Sequence, residues 1–480
     1  MAPDTRLGSL STRDTVIGAT AARRATSRIV AIATSSCTVR VSCYAYHNNL
    51  ERPMSPTSTD WFRGAALGIF IHFGHAARRG WELSWQLTGG VEGQFPPRTP
   101  VTVEEYFANA ALFDPAGFEA DQWADAIAAT GARYAVFTTK HHDGFAMFDT
   151  ALSDYSITGT SPFGRDLTAE LLSALRARGV RIGLYFSLPD WYHEDYPRVS
   201  DATLSKPYRI GSYVHTPPEQ WARFRAYLIG QLTELLTNYG EISVLWFDGE
   251  FEHTPQEWDV AGIRALVRSL QPDCLVNDRL PGQGDFRTPE QHVPKSAPSQ
   301  PWEVCMTMNE SWGWTADDQR WKSGATILNR FVETITAGGN LLLNVGPRGD
   351  GTFPPEATER LGILGDWVAR HRDAVFDLEP APEPISGPVP LAAKSSPAGT
   401  RLFAYCTMRP WDRLTLRSVP VRRVRAVRVL ATGQELPHQA VPHVSEVHAG
   451  VADPLGELDI EVPGEVADAL VPVLEIELAH

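Results

Sequence analysis

Short apolar runs separated by longer amphipathic stretches organise the chain from Trp61 onward. The runs are ALGIFIHFG (66–74), YAVFTTK (134–140), RIGLYFS (181–187), ISVLWFD (242–248), CLVNDR (274–279), WEVCM (302–306) and NLLLNVG (340–346). Between them, DQWADAIAATG ends on a glycine stop, while DLTAELLSALRARG and WARFRAYLIGQLTELLTNYG repeat apolar residues at i, i+3 and i+4; these spacings predict helices. Strand then helix, repeated, predicts a parallel sheet. Seven such runs fit an irregular (β/α)8 barrel of TIM type better than a doubly wound sheet, because no GxGxxG follows the first run. No eighth strand is marked. Either DDQRWKSGATILNRFVETITAGG hides one, or the barrel is irregular.

The texture changes after residue 375. EPAPEPISGPVP reads as a Pro-rich linker, and the segments beyond it (RLFAYCTM, RLTLRSV, RAVRVLATG, LDIEVP, LVPVLEIEL) alternate over short lengths between Gly, Pro and Asp. The expected layout is a catalytic barrel over 54–375 and a small antiparallel β-sandwich over 385–480. The sandwich shows no charge cluster and reads as a supporting domain.

Composition narrows the partners. The chain is 43% hydrophobic and 21% charged, with a formal net charge of −14, which argues against nucleic acid. No apolar stretch approaches the ~20 residues of a membrane-spanning helix. Five scattered cysteines without CxxC spacing suit reduced thiols; with no convincing signal peptide, the expected location is cytoplasmic. Residues 1–53 differ from the rest: seven Arg, no Lys and three acidic residues give them +4. They are expected to be a disordered or mis-assigned extension, with Met54 as the start, against the alternative of a targeting sequence. Oligomeric state is not legible.

Chemistry belongs at the C-terminal ends of barrel strands, and here those ends are loaded. The first run ends in His72 and the second in His141–His142–Asp143. The third carries Tyr185, with Trp191 soon after, and the fourth Trp246 and Asp248. The fifth carries Asn277, Asp278 and Arg279, and the sixth Trp302–Glu303. Aromatic platforms beside His, Arg and carboxylates match the dual character of sugars, apolar C–H faces rimmed by hydroxyls. A metal site is disfavoured because no HxH or HExxH accompanies the histidines, and GPRGDG (346–351) lacks the Lys-Ser/Thr pair of a phosphate loop, reading instead as a tight turn. Two carboxylates across a pocket would make a glycosidase pair. Asp248, ending a very apolar run before Gly249, is the first. Glu303 beside Trp302 is the candidate for the second, with Glu290, Asp285 and Glu310 as rivals that the residues alone do not rank.

LGIFIHFG, WELSW, YAVFTTKHHDGFAMFDT, GLYFSLPDWY, VLWFDGE, NDR, GDFRTPEQ, WEVCMTMNESWGW and GGNLLLNVGPRGDG, in this order over 61–367, resemble the signature segments of the α-L-fucosidases of glycoside hydrolase family 29. The resemblance implies an irregular barrel followed by a β-sandwich, hydrolysis of terminal α-L-fucosyl linkages with retention, a fucosylated oligosaccharide or glycoconjugate substrate, and no metal or organic cofactor. It implies Asp248 as nucleophile and Glu303 as acid/base, with Glu290 and Asp285 as alternatives. His72, His141, His142, Tyr185, Trp246 and Arg279 would bind the sugar, as would Glu82 and Trp85, whose WELSW spacing differs from the commoner form. Trp312 or Trp314 would cover its apolar side. A related sugar such as an α-L-galactoside, or a silent fucose-binding barrel, are the other readings.

Overall fold

The computed structural model describes residues 57–88, 101–197 and 216–480; the N-terminal extension 1–53 lies outside them. Seven parallel strands, β1 (Leu67–Ile71), β2 (Tyr134–Lys140), β3 (Arg181–Ser187), β4 (Val244–Asp248), β5 (Leu275–Val276), β6 (Glu303–Thr307) and β7 (Asn340–Val345), pair in the order β5-β4-β3-β2-β1-β7-β6. Alternate residues go to opposite faces of a strand. Phe70, Tyr134, Val136, Tyr185, Val244, Trp246 and Leu342 therefore cluster together on one face, while Ile69, Phe137, Leu184, Leu245 and Leu343 join the helix layer on the other. The predicted helices form at Ala120–Ala129, Leu167–Ala177 and Pro218–Asn238. Asp166 caps the second by accepting from the Ala169 amide at 2.9 Å.

The eighth position is filled by a segment no apolar pattern marks. Between β5 and β6, Asp285–Gln291 bonds to both neighbours: the Asp285 amide donates to Val276 O (2.7 Å), Arg287 to Pro301 O (2.9 Å), Glu303 to Arg287 O (3.0 Å) and Gln291 to Cys305 O (2.9 Å). Pro289 has no amide to donate, and the segment's charged residues break any apolar run, so it bridges without forming a regular strand. DDQRWKSGATILNRFVETITAGG contains instead the helix Gly324–Thr336, capped by Ser323.

β6 begins at Glu303. In a parallel sheet this places Glu303 at the end of the barrel opposite Asp248, which closes β4. The expectation that Trp302–Glu303 sits at the loaded face is thereby corrected. The apolar run was located rightly, but its polar residues lie at the beginning.

The C-terminal part is an antiparallel sandwich of a five-stranded and a three-stranded sheet. Leu402, Ala404, Leu474 and Ile476 share its core with Leu414, Leu416, Leu458 and Ile460. Phe403, Tyr405 and Val473, on the other face, join the barrel core. Tyr405 donates to Ala374 O (2.7 Å) and Trp367 Nε1 to Val471 O (2.9 Å), so the two parts share a buried seam. The Pro-rich segment is docked: Glu379–Pro380 pairs with the strand Leu391–Ser396, and Ser386 and Arg417 exchange two backbone hydrogen bonds. Sheet pairing thus starts at Glu379, ahead of the 385 drawn from composition. Among the described residues, no helix is long and apolar enough to cross a membrane.

Candidate active site

At the C-terminal end of the barrel lies a cavity of about 260 Å³, lined by Phe70, His72, Trp85, His141, Tyr185, Trp246, Asp248, Phe251, Arg279, Glu290 and Trp312. Asp248 is its electrostatic centre. Its Oδ2 accepts from the Tyr185 hydroxyl (2.8 Å) and lies 3.7 Å from His142 Nε2; its Oδ1 accepts from Arg279 Nη1 (2.9 Å). Burial opposes its charge, but Arg279, His142 and the Tyr185 bond outweigh burial and hold the carboxyl below its ordinary range. Gly249 makes the exit from β4 possible: its φ is +80°, and a Cβ there would stand 2.3 Å from Pro189 Cδ.

Arg279 joins the two halves of the site. Its Nη1 holds Asp248 while its Nη2 donates to Glu290 Oε2 at 2.6 Å, and its guanidinium lies 4.9 Å above the Trp246 ring. Two carboxylates therefore flank one guanidinium, both facing the cavity. Trp246 stacks on Tyr185, ring centroids 5.6 Å apart at 20°.

The three histidines are buried imidazoles, and at His72 the neighbouring Asn344 assigns the proton. Asn344 Nδ2 donates to Trp312 O (2.7 Å), which turns its Oδ1 toward His72 Nδ1 (2.7 Å). His72 thus carries its proton on Nδ1, leaving Nε2 as an acceptor. Burial pushes His72 down to about 4, over the opposing Asn344 bond, and His142 down to about 4 despite Asp248 nearby. Burial, with the neighbouring His142 and His72, pushes His141 well below its ordinary value. His141 Nδ1 pairs with the Ser84 hydroxyl and His142 Nδ1 with the Ser187 hydroxyl. Neutral imidazoles are one donor and one acceptor each, the currency of sugar hydroxyls.

These values set a stability trend. The folded values lie below the unfolded 6.5, so the unfolded chain takes up protons first. Stability is full above pH 6.5 and is lost as pH falls toward about 4, by roughly 3 kcal/mol per histidine. Urea midpoints measured between pH 7 and 4.5 should fall, and less steeply in His72→Gln; parallel slopes would refute the assignment.

Asp143 anchors the turn after β2. It accepts from the Tyr106 hydroxyl (2.7 Å) and the Phe145 amide (3.1 Å), and His75 Nε2 lies 3.4 Å away. His141, His142 and Asp248 hold possible ligand atoms within 4.8 Å of one another. A cation there would compete with Tyr185 and Arg279 for Asp248 and face the guanidinium's like charge, so the donor set suits a neutral polyol better.

Three expected site residues fall elsewhere. Glu303 is fully buried at the barrel base, accepting from the Tyr134 hydroxyl and from Trp246 Nε1 (2.8 Å), and it does not reach the cavity. Glu82 is not among the lining residues; it accepts from the Trp312 (2.6 Å) and Gly313 (3.1 Å) amides, so it clamps the loop that carries Trp312. Trp314 lines a different cavity. Of the rival carboxylates, Asp285 is locked by Arg264 and Arg268, Glu310 pairs with Arg320 at 3.3 Å, and only Glu290 enters the cavity. Phe70, Phe251 and Asn344 escaped the sequence reading; a lone Asn inside NLLLNVG was the one available signal.

A barrel with two carboxylates and an aromatic, hydroxyl-matching wall at its C-terminal end defines a glycoside hydrolase. Comparison with known proteins agrees. Residues 33–373 match the family model described as alpha-L-fucosidase. The tissue alpha-L-fucosidase of Bos taurus is 31% identical over 340 residues, covering 67% of this chain and 69% of the bovine protein. Alpha-L-fucosidase isoenzyme 1 from Paenibacillus thiaminolyticus is 33% identical with a TM-score of 0.74, covering 88% of this chain and 99% of that one. The alpha-L-fucosidase of Vibrio sp. strain EJY3 gives 26% and 0.75, covering 89% and 74%. The chain belongs to the alpha-L-fucosidase family.

Proposed function

We propose that this enzyme is a retaining, exo-acting α-L-fucosidase in which Asp248 is the nucleophile and Glu290 the acid/base. The observation that carries the reading is that Asp248 and Glu290, bonded to the two Nη atoms of one guanidinium, both face a cavity walled by neutral histidines. At about 260 Å³ the cavity falls below the ~300–1,000 Å³ of drug-sized pockets and suits a single sugar ring, which supports removal of terminal residues.

In the first step a carboxylate oxygen of Asp248 attacks the anomeric carbon. The glycosidic C–O bond breaks, and Glu290 gives its proton to the departing oxygen, so the leaving group exits as an alcohol. In the second, the Glu290 carboxylate takes a proton from water as the water oxygen attacks the same carbon. The ester bond to Asp248 breaks, fucose leaves, and both carboxyl groups return to their starting states. Arg279, bonded to Asp248 through Nη1 and to Glu290 through Nη2, holds both carboxyl groups in place through the two steps.

The test is hydrolysis of 4-nitrophenyl α-L-fucoside with the first-formed sugar followed by proton NMR. Release of α-L-fucose before mutarotation is expected. The β anomer first would remove retention, and no release from this or any fucosylated oligosaccharide would remove the activity.

A further inference from the structure

The loop Trp312–Gly313–Trp314 is a wall with two sides. Trp312 faces the fucose cavity, and Trp314 faces a second cavity of about 440 Å³ built from the turns after β1 and β7. The second cavity rests on the GPRGDG turn. A Cβ at Gly349 would stand 2.3 Å from Arg78 Cα, so only glycine lets this turn lie directly on the 75–79 helical turn. That approach places Arg348 and Arg78 in one lining with Trp314, Asp114 and Asp350. Arg348 stands over the Trp314 ring (5.9 Å), and its Nε is buried without a hydrogen-bond partner in the protein. Arg78 is oriented by Asn109 Oδ1 at 2.9 Å. Two guanidiniums and two carboxylates leave no net charge to recruit a polyanion. An indole face with directed donors and acceptors around it is the combination that recognises a saccharide.

We propose that this second cavity binds a saccharide unit of the leaving group, with Trp314 as stacking platform and Arg348 as hydrogen-bond donor. The placement follows the ring of the barrel. Glu290, which protonates the departing oxygen, lies on the segment beside β6; the loop after β6 carries Trp312 and Trp314; the turn after β7 carries Arg348. A glycan leaving past Glu290 and crossing the 312–314 loop arrives over Trp314. The inference rests on the fucosidase reading and specifies the substrate as a fucosylated oligosaccharide rather than a simple fucoside.

The experiment compares wild type with Arg348→Ala and Trp314→Ala on 4-nitrophenyl α-L-fucoside and on the fucosyllactose isomers. The expected result is a roughly tenfold lower kcat/KM on the best fucosyllactose, carried mainly by KM, with the aryl fucoside within twofold of wild type in Arg348→Ala. Thermal melting of both variants confirms folding; Arg348→Lys should recover part of the loss if a donor is needed. Equal losses on both substrates, or no loss on fucosyllactose, overturn the proposal while leaving the fucosidase reading intact. A wild type inert on every fucoside removes that reading and this proposal with it.

Discussion

Asp248→Gly should lower kcat on 4-nitrophenyl α-L-fucoside by about 10⁴-fold or more, the scale of losing a covalent nucleophile. Neither of the two rival carboxylates is placed to take over: Glu290 is held by the other end of Arg279, and Glu303 lies beneath Trp246. The vacated space should admit azide, whose attack on the anomeric carbon expels nitrophenolate and gives a fucosyl azide of inverted configuration. The variant also strips one partner from Arg279 and from the Tyr185 hydroxyl. Glu290 still pairs the guanidinium, so the fold should survive, and Asp248→Asn, which keeps the shape, is the companion that separates chemistry from stability. Activity within tenfold of wild type in folded Asp248→Gly would overturn the nucleophile assignment.

The second large effect divides Glu290 from Glu303. Glu290→Ala should slow deglycosylation by roughly 10²–10⁴-fold, the range of general acid–base contributions. Nitrophenolate needs little protonation to leave, so the fucosyl enzyme should accumulate and produce a burst. Azide should then restore turnover by displacing the Asp248 ester, giving a fucosyl azide of retained configuration. Glu303→Ala should behave as a stability variant. It leaves the Tyr134 hydroxyl and the Trp246 indole N–H unpaired in the barrel, at about 1–3 kcal/mol each, and shows no azide rescue. Burial raises the Glu303 carboxyl to about 7, against its two hydrogen bonds. That is the protonation behaviour expected of a general acid, which is why geometry has to decide between the two residues: Glu303 has no path to the sugar. Retained-configuration azide rescue in Glu303→Ala, and none in Glu290→Ala, would reverse the roles.

Much was legible in the sequence because burial imposes regular patterns. Seven apolar runs and the helices between them follow from period-2 and period-3.6 burial, and a polar or aromatic residue closing such a run announces a pocket, as His72, His141 and Asp248 do. The segment closing the barrel was not legible. Asp285–Gln291 is held by one backbone hydrogen bond toward β5, several toward β6 and a proline-interrupted backbone, none of which leaves a hydrophobic period. The acid/base choice was likewise beyond the chain's own pattern. Glu303 and Glu290 are each one carboxylate near a strand, and a pattern of apolar residues does not say which end of the run points to solvent.

The sequence by itself determined the alternation of strands and helices, the change of texture into a sandwich and the family segments, because these depend on neighbours along the chain. Only the tertiary structure decided that Arg279 grips both Asp248 and Glu290, that Glu82 clamps the Trp312 loop, and that Trp314 belongs to another cavity. Each of those facts is a distance between residues far apart in the chain. Such distances are fixed by barrel closure and strand direction, and neither is written in any local stretch.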